Sequence, residues 1–180
     1  MSVFEQLQQL KKHFYSYRNG VVASALRRSG DNHKYIMGCM LPDIVQITSL
    51  IQPNKELSDA LWAEKEHREC RIAATMLYPV EEFNFDIALE WCESVENHEI
   101  ADVLCQRLLR RTNYAKELWQ ILLKRENELQ QYTGLRLLAN LVTINREQLD
   151  DDIKSSLNSY LSMAPTPGLK RFAFSIIEDS

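Results

Sequence analysis

Glycine and proline are scarce, five of each in 180 residues, which excludes collagen-like and low-complexity chains. Cysteine is rare as well. Cys39, Cys70, Cys92 and Cys105 form no CxxC pair and no zinc-ligand spacing, so they read as buried free thiols of a reducing compartment. No apolar run approaches the roughly 20 residues that a membrane span requires. The opening "MSVFEQLQQLKKHF" is amphipathic and lacks the apolar centre of a secretory signal, so a cytoplasmic protein is expected, with no membrane. Runs that alternate apolar and polar residues between turn residues are nearly missing, and strands with them. No glycine-rich phosphate loop occurs, nor any Ser/His/Asp or Cys/His arrangement, and neither cofactor nor metal is expected.

A basic excess is also missing. The formal net charge is −4, whereas a nucleic-acid-binding domain is usually basic. The charge is uneven along the chain, however. Residues 55–102 carry four Lys/Arg against thirteen Asp/Glu, while residues 103–136 carry seven against three. A positive strip on an acidic protein is compatible with that distribution.

What is present is helical spacing. Phe4, Leu7, Leu10 and Phe14 mark one face of a first helix. "NGVVASALRRSG" predicts a short second helix closed by Gly30, and Pro42 suits the first turn of a helix beginning "PDIVQITSLI". A unit then recurs. "KELSDALW", "FDIALEW" and "YAKELW" end on Trp62, Trp91 and Trp119, which lie 29 and 28 residues apart. Each is followed by a charged turn and an apolar helix: "HRECRIAATML", "HEIADVLCQRLL" and "ELQQYTGLRLLANLV". A degenerate fourth copy runs from "LDDDIKSSLNSYL" through "PTPGLKRFAFSII", with Tyr160 in the tryptophan's place. One such pair cannot bury its own apolar side, so neighbours must stack, and the chain reads as an all-α superhelical solenoid of antiparallel helix pairs. A single domain over 1–180 is expected, with N-terminal helices over 1–52 and about four pairs over 53–180. The tryptophans read first as core wedges, because each ends an apolar helical face.

One carboxylate stands apart. In "ENHEIADVLCQRLLRR", Ile100, Val103, Leu104 and Leu108 share the packed side of a helix, and Asp102 lies on the flank with His98, Gln106 and Leu109. An aspartate so placed is ordinarily solvated or held in a surface ion pair, which His98 at i−4 would supply. Arg107, Arg110 and Arg111 follow, free to neutralise phosphates or to be solvated.

The order of pieces "YIMGCMLPDIVQITSLI", "ELSDALWAEKEHRECRIAATML" and "NHEIADVL", over residues 33–111, resembles the DNA alkylation repair family, the HEAT-like-repeat alkylpurine glycosylases of AlkD type. His67, Arg68, Glu69, Arg71, Ala73 and Ala74 match one family segment, and Asn97-His98-Glu99-Ile100-Ala101-Asp102 matches an Asn-Trp-x-x-x-Asp-like motif. The resemblance implies HEAT-like pairs with duplex DNA in the concave groove and release of a cationic N-alkylated purine. It implies Asp102 as the carboxylate that faces positive charge building on the sugar, with His98 beside it. The resemblance further implies that the leaving base is already cationic, so that no general acid is required, and that the base is not swung into a pocket as in most glycosylases. Two departures stand out. The aromatic before the Asp is His98 rather than Trp, and a second Trp expected on the last helix has no counterpart; Ser175 aligns there, with Phe172 and Phe174 nearby.

His67 and Glu69 beside Arg68 and Arg71 lack a third ligand at metal spacing and read as a polar network. "REQLDDDIK" lacks the Gly and terminal Glu of a calcium loop and reads as the acidic first turn of a helix, capped near Asn145. Three functions remain open. The first is an alkylpurine DNA glycosylase acting through Asp102. The second is a non-catalytic relative that binds duplex DNA with Arg107, Arg110, Arg111, Lys124, Arg125 and Arg136 on phosphates. The third is a helical scaffold for a protein partner.

Overall fold

The computed structural model describes residues 1–178. Among these residues there are eleven α-helices, one 3-10 turn and no strand, only an isolated bridge between Tyr35 and His67. The fold class is all-α. The chain forms two compact units, residues 1–83 and residues 84 onward.

The first unit holds α1 (Val3–Ser16), α2 (Gly20–Arg28), α3 (Leu41–Ser49), α4 (Lys55–Ala63) and α5 (Arg68–Leu77). Their starts follow the local chemistry. Ser2 and Glu5 close a capping box on α1, Asn19 and Asn54 cap α2 and α4, and Pro42 sits in the first turn of α3. Leu7, Leu10 and Phe14 are buried, whereas Phe4, in the capped first turn, is 67% exposed, so the packed face of α1 begins one turn later than its apolar pattern. α5 is the inner helix: α3 and α4 both pack on it, and all its residues except Met76 are buried.

Burying "RECR" demands partners for three charges. Glu69, fully buried, accepts from the backbone N–H of Gly38 at 2.9 Å and of Met37 at 3.2 Å. Arg68 donates to Glu69 and to the carbonyl of Cys39, both at 3.0 Å, and its Nε lies 3.7 Å from Asp31. Arg71 stacks its guanidinium 3.4 Å from the Trp62 ring centroid and donates to the Trp62 carbonyl. The connector of residues 31–40 therefore serves as a socket for α5. Gly38 is obligatory within it: φ is +78°, and a Cβ there would lie 2.2 Å from the Asn19 carbonyl oxygen. His67 joins this polar network, 3.6 Å from Glu69, and burial lowers its pKa, against the pull of that carboxylate.

The second unit holds α6 (Phe85–Glu93), α7 (His98–Arg107), the 3-10 turn (Leu109–Arg111), α8 (Ala115–Leu122), α9 (Glu128–Thr143), α10 (Asp151–Met163) and α11 (Pro167–Glu178). α9 is the hub, packing on α6, α7, α8 and α11. Gly134 permits its close approach to α8, since a Cβ would come within 3.0 Å of both Leu122 Cβ and the Trp119 carbonyl. α9 ends on Asn145 in the left-handed region (φ 55°), whose N–H bonds the Val142 carbonyl while that of Arg146 bonds Leu141, a Schellman closure. Asn145 thus terminates α9 and does not cap α10; Asp150 does, accepting from Ile153 N–H at 2.9 Å, with Asp151 and Asp152 in the first turn.

Trp62, Trp91 and Trp119 are all buried, as is Tyr160, whose hydroxyl donates to Gln131 at 2.7 Å. The four cysteines are free and buried. Burial pushes the Cys39 and Cys92 thiols up to about 12.

Candidate functional site

Asn97 starts α7, its side chain accepting from Ile100 N–H at 2.9 Å. Ile100, Ala101, Val103, Leu104 and Cys105 are buried, leaving Asp102 on the flank with His98 and Gln106 exposed beside it. Leu108 ends α7 as its buried C-cap and Leu109 is fully buried in the 3-10 turn, so the exposed flank stops a turn earlier than helical spacing suggests. Arg110 and Arg111 lie in that turn rather than further along the helix.

Opposite Asp102 stands α9. Its Tyr132 and Arg136, at i and i+4, share one face. The Tyr132 hydroxyl donates to Asp102 Oδ1 at 2.7 Å, and Arg136 Nη2 donates to that hydroxyl oxygen at 2.9 Å. Arg136 Nε also lies 2.7 Å from Asp102 Oδ1, a charge contact without hydrogen-bond alignment. The Asp102 and Arg136 side chains remain 42% and 34% exposed, so the pair is open to solvent on one side. Burial, reinforced by the neighbouring carboxylate and opposed by Arg136, pushes the Tyr132 phenol up to about 12. It stays a proton donor at neutral pH.

Three rings border this cluster. The His98 ring lies 4.2 Å from that of Tyr132, and the Tyr132 ring 5.3 Å from Phe172 on α11. The Arg136 guanidinium carbon sits 4.8 Å from the Phe172 centroid. Phe172 therefore reaches the cluster, while Phe174 is half exposed and Ser175 bonds back to the Phe172 carbonyl. His98 does not bond Asp102 in the i−4 manner its spacing allows; its ring packs at a tilt of 51° against Tyr132 instead. The result is a half-exposed carboxylate beside a short row of aromatic rings, an arrangement able to face positive charge.

The remaining basic residues are dispersed. Arg125 pairs with Glu93 at 3.2 Å, and Lys124 and Arg111 are exposed. Among the described residues, Arg107, Arg110, Arg111 and Lys124 have no ion-pair partner. Tyr132 went unrecognised as a site residue in the sequence. Its signal is faint but real: it lies 30 residues after Asp102, close to the tryptophan period, and so occupies the matching helix of the next helix pair.

The sequence model of a family described as DNA alkylation repair enzyme matches residues 10–161. That span includes Asp102, Tyr132 and Arg136 and ends before α11 with Phe172. No curated protein and no solved structure matches the chain.

Proposed function

The chain belongs to the DNA alkylation repair enzyme family, and on that premise we propose that it is an alkylpurine DNA glycosylase acting on duplex DNA. The observation that carries this reading is the half-exposed Asp102, which accepts from the hydroxyl of Tyr132, whose ring lies between those of His98 and Phe172. In the reaction the bond from the sugar C1′ to the alkylated purine nitrogen breaks. Its electron pair neutralises the cationic base, which leaves without a proton donor. The sugar becomes an oxocarbenium ion, water adds at C1′, and the proton released passes to solvent. Asp102 opposes the developing charge on the sugar. At about 4 Å and an effective dielectric near 20, a full charge pair interacts by roughly 4 kcal/mol. Solvent exposure and the resident Arg136 reduce that; about half of it lowers the barrier roughly 30-fold.

On this reading the helix pairs are HEAT-like repeats, the protein works in the cytoplasm, and Arg107, Arg110, Arg111, Lys124 and Arg125 neutralise phosphates, joined by Arg136 when DNA competes for it. A second reading, a non-catalytic scaffold for a protein partner, draws support from Arg136 itself, because Asp102 already has a cation, and from the net charge of −4.

Release of 7-methylguanine from methylated duplex DNA, compared between wild type and Asp102→Asn, separates the readings. The glycosylase reading expects release that falls about 30-fold in the variant. Salt-dependent retention on DNA without release leaves a binding protein, and no retention leaves the scaffold. Release undiminished in Asp102→Asn removes Asp102 from the chemistry.

A further inference from the structure

We infer that Tyr132 is the positioning residue of Asp102, the joint through which α9 aims one carboxylate oxygen and leaves the other for the reacting sugar. The inference rests on the glycosylase reading for its consequence but on geometry for its substance. An arginine side chain has only donors, so the phenolic oxygen must accept from Arg136 Nη2, and its single proton is committed to Asp102 Oδ1. Both contacts from α9 fall on Oδ1. Among the described residues Oδ2 has no partner. The carboxylate is thus hydrogen-bonded to α9 through one oxygen only.

The aim is fixed by packing rather than by the hydrogen bond alone. The Tyr132 ring is held between His98 at 4.2 Å and Phe172 at 5.3 Å, and its neighbours Gln131 and Thr133 are buried. With two side-chain torsions set in this way, the hydroxyl arrives at Asp102 already oriented, which is the condition for a preorganised electrostatic site. Arg136 cannot do this alone. Its Nε makes a charge contact without alignment, and its long side chain finds its place through the Tyr132 oxygen and the Phe172 ring. The persistence of the phenolic proton at neutral pH agrees with the role.

Tyr132→Phe removes the hydroxyl and keeps the ring. In single-turnover release from methylated duplex DNA, the maximal rate should fall about tenfold, the effect of one hydrogen bond to a charged group. The protein concentration at half-maximal rate should stay within about twofold, because phosphate contacts are untouched. The 13Cγ resonance of Asp102 should move in the variant. An unchanged maximal rate, or an unchanged Asp102 resonance, overturns the inference. If wild type releases no base, the glycosylase reading falls, and the Asp102 resonance still decides whether Tyr132 holds it. Should Tyr132→Phe not fold, the wild-type Asp102 13Cγ shift in H2O against D2O takes its place: a deuterium isotope effect on that carbon supports the phenolic hydrogen bond, and none overturns it.

Discussion

Glu69→Gln tests whether the first unit is built around a buried charge. The carboxylate is fully buried and accepts from Met37 and Gly38 N–H and from Arg68. The substitution keeps the volume but replaces one acceptor oxygen by an NH2 group that faces donors. It also removes the carboxylate charge to which the buried Arg68 donates, Asp31 lying further off at 3.7 Å from the Arg68 Nε. Breaking one side of a buried ion pair costs about 3–5 kcal/mol, a large share of a total stability of roughly 5–15 kcal/mol. The assay is urea unfolding followed by far-ultraviolet circular dichroism, read alongside Glu66→Gln. Glu66 pairs with Lys34 on the surface, so its removal should leave the midpoint in place. A loss below about 1 kcal/mol in Glu69→Gln would refute the view that this carboxylate anchors the connector to α5.

Two further outcomes follow from the same region. Gly38→Ala combines a positive φ with a backbone clash at 2.2 Å, and should cost at least about 2–3 kcal/mol in the same unfolding measurement, detaching α2 first in hydrogen exchange. His67 has its pKa lowered in the fold, so below its unfolded value of 6.5 the unfolded chain binds more protons than the native one. Its contribution is present above 6.5 and is lost as pH falls toward the folded value, so thermal midpoints should drop between pH 7 and 5 and do so less steeply in His67→Gln.

The chemistry of helix starts is local, as Pro42 in the first turn of α3 shows, and Asn19, Asn54, Asn97 and Asn127 carry a further such signal as caps that the apolar spacing alone does not use. The tryptophans were legible because large apolar groups at helical spacing have few alternatives to burial. Asp102 could be placed on a flank by counting along its own helix. Its partners could not. Which residue of α9 meets it depends on how two helices are rotated against each other, and that is set by the whole α7–α9 seam, where the Cys105 thiol donates to the Thr133 carbonyl, rather than by either segment alone. For the same reason the sequence does not show that Arg136 meets Asp102, or that His98 lies against Tyr132 instead of bonding Asp102. Asn145 was mistaken for a cap because asparagine serves both ends of a helix, and only the backbone conformation tells which.

The cluster around Asp102 is assembled from three helices that sit at different depths in the chain. Carboxylate, phenol and guanidinium belong to α7 and α9, within the stretch that matches the family, while the third ring arrives on α11 beyond it. Substitutions confined to that last helix can reshape what rests against the guanidinium and yet leave the acid and both its partners intact. The wall of the cluster and its acid are in this way carried by separable segments of the chain.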